Sequence, residues 1–454
     1  MKLVGRVMMM TATLGLPMFA IAQSPEHVFP RIGAYEIAGA ARMADPGYRE
    51  ALAKHDLVIV GLWRDWSGVD PVSGASLGIR DVVVDIKRRA ATSGNNDILL
   101  GKYTIYNENY SSRQNAAQRD RFDKLSAEVG PGYRVNNDWW ARDANGENTS
   151  SFTGTWNTNV TEFVNRDSNG DTWSEWAAKR DYEVFFQPVP EFDIWFIDNW
   201  FYQPRVLADW NGDGVNDQKY LGWVRAEYRK GLMNAVERAR ALAPNLIIMG
   251  NVDGDPNRDV GMLMEPEYQG QVSALYEGAM GRSYSQESHT SWQSMMTQYR
   301  TTLGNSRDGI LVMTVHGAAD DYSMMRYGLA SCLMDDGYFY YTSSDLHYKS
   351  AYWYDEFDVD LGRAIDPPQQ APWQNGVYRR RFEYGMVLVN PKANGTKTVQ
   401  IAPGYRRIDG RQDSVTNNGE AVSSVTLRER DGLVLINETA ADNQPRPGPP
   451  RLGT

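Results

Sequence analysis

The run Phe192-Asp193-Ile194-Trp195-Phe196-Ile197-Asp198-Asn199-Trp200 is apolar and ends in a carboxylate flanked by Asn and Trp. Its composition is that of a short buried strand. A carboxylate at the carboxyl end of a parallel strand lies where α/β barrels keep their chemistry, and a neighbouring Trp offers a flat apolar face of the kind sugars stack on. Glycosidic bonds are commonly cleaved by two carboxyl groups. One protonates the leaving oxygen, and the other attacks the anomeric carbon or activates water. Asp198 is the first candidate. The second is Glu277 in Ala274-Leu275-Tyr276-Glu277-Gly278, where Tyr276 brings a hydroxyl and Gly278 leaves room. Each has a purely structural alternative: an Asp after a strand caps the next helix, and a Glu in a short strand pairs with an Arg.

Further polar and aromatic residues fall near predicted strand ends. Glu36, Asp65, Glu108, Asp336 and His316 are candidate sugar contacts, with salt bridges or caps as the competing role for any one of them. Trp63, Tyr106, Trp200 and Tyr276 are candidate stacking or hydroxyl groups. Aromatic content is high, with 14 Trp and 25 Tyr, although such residues also fill cores. In Asp209-Trp210-Asn211-Gly212-Asp213-Gly214-Val215-Asn216-Asp217, the residues Asp209, Asn211, Asp213 and Asp217 take the spacing of a calcium loop with Gly at its sixth position. Tyr220 stands where the bidentate acid belongs, so an Asx-rich turn is the alternative.

These groups need a scaffold that brings strand ends together. Eight segments have strand character: Arg31–Ile37, Leu57–Trp63, Ile98–Ile105, Phe192–Ile197, Leu246–Asn251, Ala274–Glu277, Ile310–Val315 and Gly337–Tyr341. Several are apolar throughout, as in strands buried on both faces of a parallel sheet. Segments with helical spacing of apolar residues alternate with them: 45–54, 78–91, 111–129, 173–185, 221–242, 286–303 and 320–334. This pattern predicts an α/β fold, a (β/α)8 TIM barrel. The polar stretch 130–171 is a long loop, expected to form a lid or cleft wall. A Pro-rich linker at 366–372 precedes short alternating runs separated by Asn394-Gly395, Asn418-Gly419 and Asp431-Gly432, which predict a small antiparallel β-sandwich. The expected division is a signal peptide at 1–22, the barrel domain at 23–370, the sandwich at 371–438 and a disordered tail at 439–454.

Lys2 and Arg6, an apolar run over 7–19 and Ala20-Ile21-Ala22 have the pattern of a secretory signal, placing the mature chain in the periplasm or outside the cell. The apolar run is shorter than the ~20 residues of a spanning helix. No Cys follows the cleavage pattern, so no membrane anchor is expected. The single cysteine, Cys332, precludes an internal disulfide and has the setting of a core residue. A net charge of −10 argues against nucleic acid as a partner. Walker, GxGxxG and HExxH motifs are absent, and the five histidines are scattered. No cofactor is required by the carboxylate chemistry; calcium would be structural.

Phe196-Ile197-Asp198-Asn199-Trp200, the Asp209–Asp217 loop, Leu275-Tyr276-Glu277-Gly278, Asp335-Asp336-Gly337-Tyr338, Trp353-Tyr354-Asp355-Glu356-Phe357 and the string from Arg381 to Pro391 together resemble hypothetical glycosyl hydrolase family 15. The resemblance covers most of the chain after the signal. It implies a TIM barrel and glycosidase chemistry on a polysaccharide or oligosaccharide. A more distant similarity to barrel enzymes acting on galactosaminide-type exopolysaccharides implies retention, with Asp198 as nucleophile and Glu277 as acid/base. The expected activity is therefore that of a secreted glycoside hydrolase. The alternatives are a non-catalytic carbohydrate-binding protein on a degenerate barrel and a structural envelope protein.

Overall fold

Eight apolar segments line a closed barrel in the computed structural model, which describes residues 28–127, 138–252, 261–283, 285–343 and 348–437. They are β1 (Gly33–Glu36), β2 (Leu57–Val60), β3 (Leu99–Ile105), β4 (Ile194–Asp198), β5 (Ile247–Asn251), β6 (Ser273–Met280), β7 (Leu311–Gly317) and β8 (Tyr338–Ser343). Neighbours pair in parallel and in sequence order. Ile32 bridges Phe339, and the Phe339 amide donates to the Arg31 carbonyl at 2.8 Å, so β1 closes on β8. Nearly every strand residue is buried, as a sheet covered on its outer face by helices requires.

The helices are α1 (Pro46–Leu52), α2 (Ile79–Thr92), α3 (Arg119–Leu125), α4 (Trp173–Asp181), α5 (Gly222–Leu242), α6 (Gln286–Thr290), α7 (Trp292–Asn305) and α8 (Tyr322–Cys332). Two differ from the sequence pattern. The segment expected as one helix over 111–129 begins with a turn and a short 3-10 stretch, and α3 covers only its later part. The segment expected as one helix over 286–303 is broken at Ser291, whose φ of 106° no α-helix accommodates. The expected leader at 1–22 and tail at 439–454 lie outside the described residues. No helix among the described residues is long and apolar enough to cross a membrane.

Beyond the barrel, β9 (Tyr378–Arg381), β10 (Gly385–Asn390), β11 (Lys397–Gln400), β12 (Tyr405–Arg407), β13 (Ser424–Leu427) and β14 (Asp431–Asn437) form two antiparallel sheets. One has the order β9-β10-β14-β12, the other pairs β11 with β13. Met386, Leu388, Leu433 and Leu435 face Val399, Ile401, Val425 and Leu427 in a small core between the sheets. The alternate residues Val387, Val389, Val434 and Ile436 join the barrel's own core. The approach is close at Gly432, where any side chain would overlap the Arg326 carbonyl on α8.

Candidate active site

The carboxyl ends of β3 to β6 converge on a cleft of about 500 Å³. Asp198 is the last residue of β4 and is buried. Asn199 follows it at φ 51°, a left-handed turn that Asn tolerates better than most residues. The Asn199 amide donates to Asp198 Oδ1 at 2.8 Å. The Tyr103 hydroxyl from β3 donates to Asp198 Oδ2 at 2.7 Å. Asn251, the last residue of β5, sends Nδ2 to Asp198 Oδ1 at 2.8 Å and to Glu277 Oε2 at 2.8 Å. Those two oxygens therefore stand no further apart than twice 2.8 Å, or 5.6 Å.

Glu277 owes its aim to a bulge. Tyr276 pairs with Met313 and Met280 with Val315, so β6 covers four steps while β7 covers two. Gly278 sits in the bulge at φ 71°, and its amide donates to Thr314 Oγ1 at 2.8 Å. Bulges of this kind re-aim side chains beside active sites. Glu277 Oε1 accepts from the Tyr348 hydroxyl and, at 3.4 Å, from Arg282.

The two carboxyls are pushed in opposite directions. Burial, with the Glu277 charge adding to it, raises Asp198 above the usual carboxylate range. Burial also acts upward on Glu277, but the Tyr348 hydroxyl, the Arg282 guanidinium and the Asn251 amide outweigh it and hold that carboxyl low. A third carboxyl, Glu108, lines the same cleft. Burial, reinforced by the Asp198 charge, pushes it up to about 7. Its Oε2 is buried without a hydrogen-bond partner among the described residues, as are Asn251 Oδ1 and Gln286 Oε1. Three orphaned acceptors in one cleft suit a ligand rich in hydroxyl donors.

Other expected site residues stand elsewhere. Glu36 ends β1, but its carboxyl is consumed by Tyr48, Tyr340 and the Ala351 amide at 2.5, 2.8 and 3.1 Å. Asp65 is exposed beside Arg64. Tyr106 and Trp200 are fully buried. The Tyr106 hydroxyl accepts from Trp195, and the Trp200 ring packs edge-on against Tyr268. Trp63 packs edge-on against Tyr103. The Tyr276 hydroxyl donates to Gln298 on α7, away from the cleft. Asp336 precedes β8, so it lies at the barrel's amino end, bound to Arg380 at 2.6 Å. His316 is buried behind Arg282, and burial lowers it to about 4, leaving a neutral ring.

Sequence reasoning passed over several cleft residues: Tyr35, Phe152, Phe201, Arg205, Asn251, Arg282, Gln286 and Tyr348. Asn251 carried the same signal as Asp198, a polar side chain closing an apolar strand. Phe152 comes from the long loop, which thereby supplies a cleft wall. The short pairing of Glu108–Tyr110 with Thr155–Asn157 anchors that wall. The Arg205 guanidinium stacks on Phe152 and Phe201, 4.8 and 4.5 Å from their ring centres.

In the Asp209 loop, the carboxylates are occupied by the loop's own amides. Asp209 accepts from Asp213 and Gly214, Asp213 from Val215, and Asp217 from Trp210. Asn211 Oδ1 accepts from the Asp213 amide. Among the described residues, no three His, Cys, Asp or Glu side chains are grouped to hold a metal.

A closed (β/α)8 barrel with carboxyls meeting at its carboxyl face, followed by an antiparallel sandwich, is the architecture of barrel glycoside hydrolases. The family described as hypothetical glycosyl hydrolase family 15 matches residues 104–386, and the chain belongs to it. No curated protein matches the sequence. Among solved structures, the chain is similar to the GH36 α-galactosidase AgaA from Geobacillus stearothermophilus. That likeness has 9% identity and a TM-score of 0.42, covering 90% of this chain and 55% of the other. The chain thus spans about half the length of that α-galactosidase. It is also similar to the glycoside hydrolase domain of PelA from Pseudomonas aeruginosa, with 13% identity, a TM-score of 0.38 and coverage of 71% and 97%.

Proposed function

We propose that this protein hydrolyses glycosidic bonds in a polysaccharide or oligosaccharide, using Asp198 and Glu277 as its carboxyl pair. The observation that carries this reading is their shared donor, Asn251 Nδ2, which holds the two acids within 5.6 Å of each other at their nearest bonded oxygens. Retaining enzymes separate their carboxyls by about 5–5.5 Å and inverting enzymes by about 6.5–9.5 Å. The spacing therefore favours retention.

The environments divide the roles. Glu277 is kept ionised by Arg282, Tyr348 and Asn251, which suits attack on the anomeric carbon. Asp198 is the carboxyl whose surroundings favour the proton. It protonates the glycosidic oxygen as the bond to the anomeric carbon breaks and the bond to Glu277 forms. Asp198, now ionised, takes a proton from water as that water displaces Glu277 from the sugar. This division reverses the one carried by the family resemblance. Glu108, Asn251 and Gln286 offer acceptors for sugar hydroxyls. The chemistry needs no cofactor; calcium in the Asp209 loop, held through Asp209, Asn211, Asp213 and Asp217, would serve that loop's structure alone. The N-terminal pattern supports action in the periplasm or outside the cell.

The test is product release by the purified mature protein from a panel of bacterial and plant polysaccharides, beside an Asp198→Asn control. Release by the wild type alone supports the reading. Glycan binding without release from either protein would instead identify a carbohydrate-binding protein.

A further inference from the structure

Gln286 opens α6 and lines the cleft. It is only 3% exposed, and its Oε1 has no hydrogen-bond partner among the described residues. Its neighbour Glu287 instead meets α8 and the sandwich. The Glu287 carboxyl accepts from the Tyr327 hydroxyl at 2.9 Å and from Arg430 at 2.7 Å. Arg430 belongs to the turn before β14 and stands at φ 55°. The same Tyr327 hydroxyl accepts from the Lys392 amide, just after β10, at 3.1 Å. Two loops of the C-terminal sandwich thus hold the second residue of a helix whose first residue faces the candidate active site. The break at Ser291 separates this short helix from α7, so α6 is not held by a continuous helical rod.

We infer that Gln286 is a substrate-contacting, specificity-determining residue, and that Arg430 of the sandwich is a positioning residue acting on it through Glu287. The inference rests on the hydrolase reading above and extends it. A buried amide oxygen without a partner is unfavourable in the free protein. Such an amide in a cleft with two other orphaned acceptors is satisfied by a polyhydroxylated ring, accepting from one hydroxyl and donating to another. An ion pair shielded on the Glu287 side keeps its geometry far better than an exposed one, with Glu287 fully buried and Arg430 33% exposed.

The experiment uses the full mature chain and a panel of 4-nitrophenyl α- and β-hexopyranosides. Kinetics follow the member that the wild type turns over fastest. Gln286→Ala is expected to raise KM about three- to tenfold, the range for one neutral hydrogen bond, with a smaller change in kcat. Arg430→Met is expected to move KM in the same direction, Arg430→Lys to restore it, and the Gln286→Ala/Arg430→Met double variant to lose no more than Gln286→Ala alone. Hydrogen exchange at the amides of residues 286–290 is expected to quicken in Arg430→Met while the barrel strands keep their protection. Wild-type kinetics in Gln286→Ala, fully additive losses, or unchanged exchange in α6 would overturn the inference while leaving the hydrolase reading in place. A wild type that releases product neither from this panel nor from the polysaccharides above overturns both.

Discussion

The Asp198 and Glu277 carboxyls share a single hydrogen-bond donor, Asn251 Nδ2, at 2.8 Å from each. Removing that donor frees both carboxyls to separate and withdraws a contact that keeps Glu277 ionised. Asn251→Ala is expected to cut kcat/KM by about a hundredfold, the scale of a misplaced catalytic group. Asn251→Asp should be worse, because a third carboxylate pushes both neighbours towards protonation. Steady-state kinetics of the two variants, with circular dichroism as a folding control, provide the comparison.

Asp198→Asn and Glu277→Gln should each abolish turnover while leaving thermal unfolding cooperative. Azide distinguishes their roles. With an activated glycoside, azide should rescue Glu277→Ala to give a glycosyl azide of inverted configuration, and Asp198→Ala to give one of retained configuration. The opposite stereochemical pairing would restore the assignment carried by the family resemblance.

Glu108 sets a pH signature on stability. Its folded value of about 7 lies above the ordinary 4.5, so the folded chain holds an extra proton between those limits. Stability from this group is complete below about pH 4.5 and is lost as pH rises to about 7, a penalty of about 3 kcal/mol above that window. Glu108→Gln should therefore melt higher than wild type at pH 8, with the gap closing by pH 4. Melting curves across that range that stay parallel would refute the shift.

The bulge at Gly278 separates activity from stability. Open space surrounds the position, so Gly278→Ala meets no clash and carries only the strain of φ 71°. That strain is roughly 1–2 kcal/mol. Relief of it would tilt the Glu277 backbone, so kcat should fall far more than the melting temperature. A proportionate loss of both would remove the bulge from the account of how Glu277 is aimed.

Chelation should leave turnover unchanged, since both proton transfer and nucleophilic attack are assigned to carboxyls. Dialysis against EDTA followed by assay, with calcium added back, checks this. Activity that disappears and returns with calcium would make the Asp209 loop part of the working site.

The barrel was legible because eight apolar strands separated by amphipathic helices have few other solutions. The reversal at strand tips was not. Adjacent residues on a barrel strand point to opposite sides, so Glu277 faces the cleft while Tyr276, one step earlier, reaches Gln298 in the helical layer. Trp63, Tyr106 and Trp200 lie past their strand ends, and the aromatics that do line the cleft, Phe152, Phe201 and Tyr348 among them, come from loops. Glu36 has the right address, yet Tyr48, Tyr340 and the Ala351 amide consume its acceptors, and no local pattern announces such partners. Tyr348 and Arg282 reach Glu277 from loops, where tertiary packing decides direction. Asn251 was within reach of the reasoning that found Asp198.

The alternating faces of β10 and β14 also bear on modularity. Accessory sugar-binding units on flexible linkers can be cut off or exchanged between enzymes. Here one face of the terminal sheet contributes Val387, Val389, Val434 and Ile436 to the barrel's interior. The Gly432 backbone rests directly on α8, where a side chain would overlap the Arg326 carbonyl. A chain cut at the Pro-rich segment would leave that interior open to water, and a transplanted sandwich would need both the apolar stripe and the bare glycine to fit. The two parts are one inheritance unit, expected to be gained or lost together.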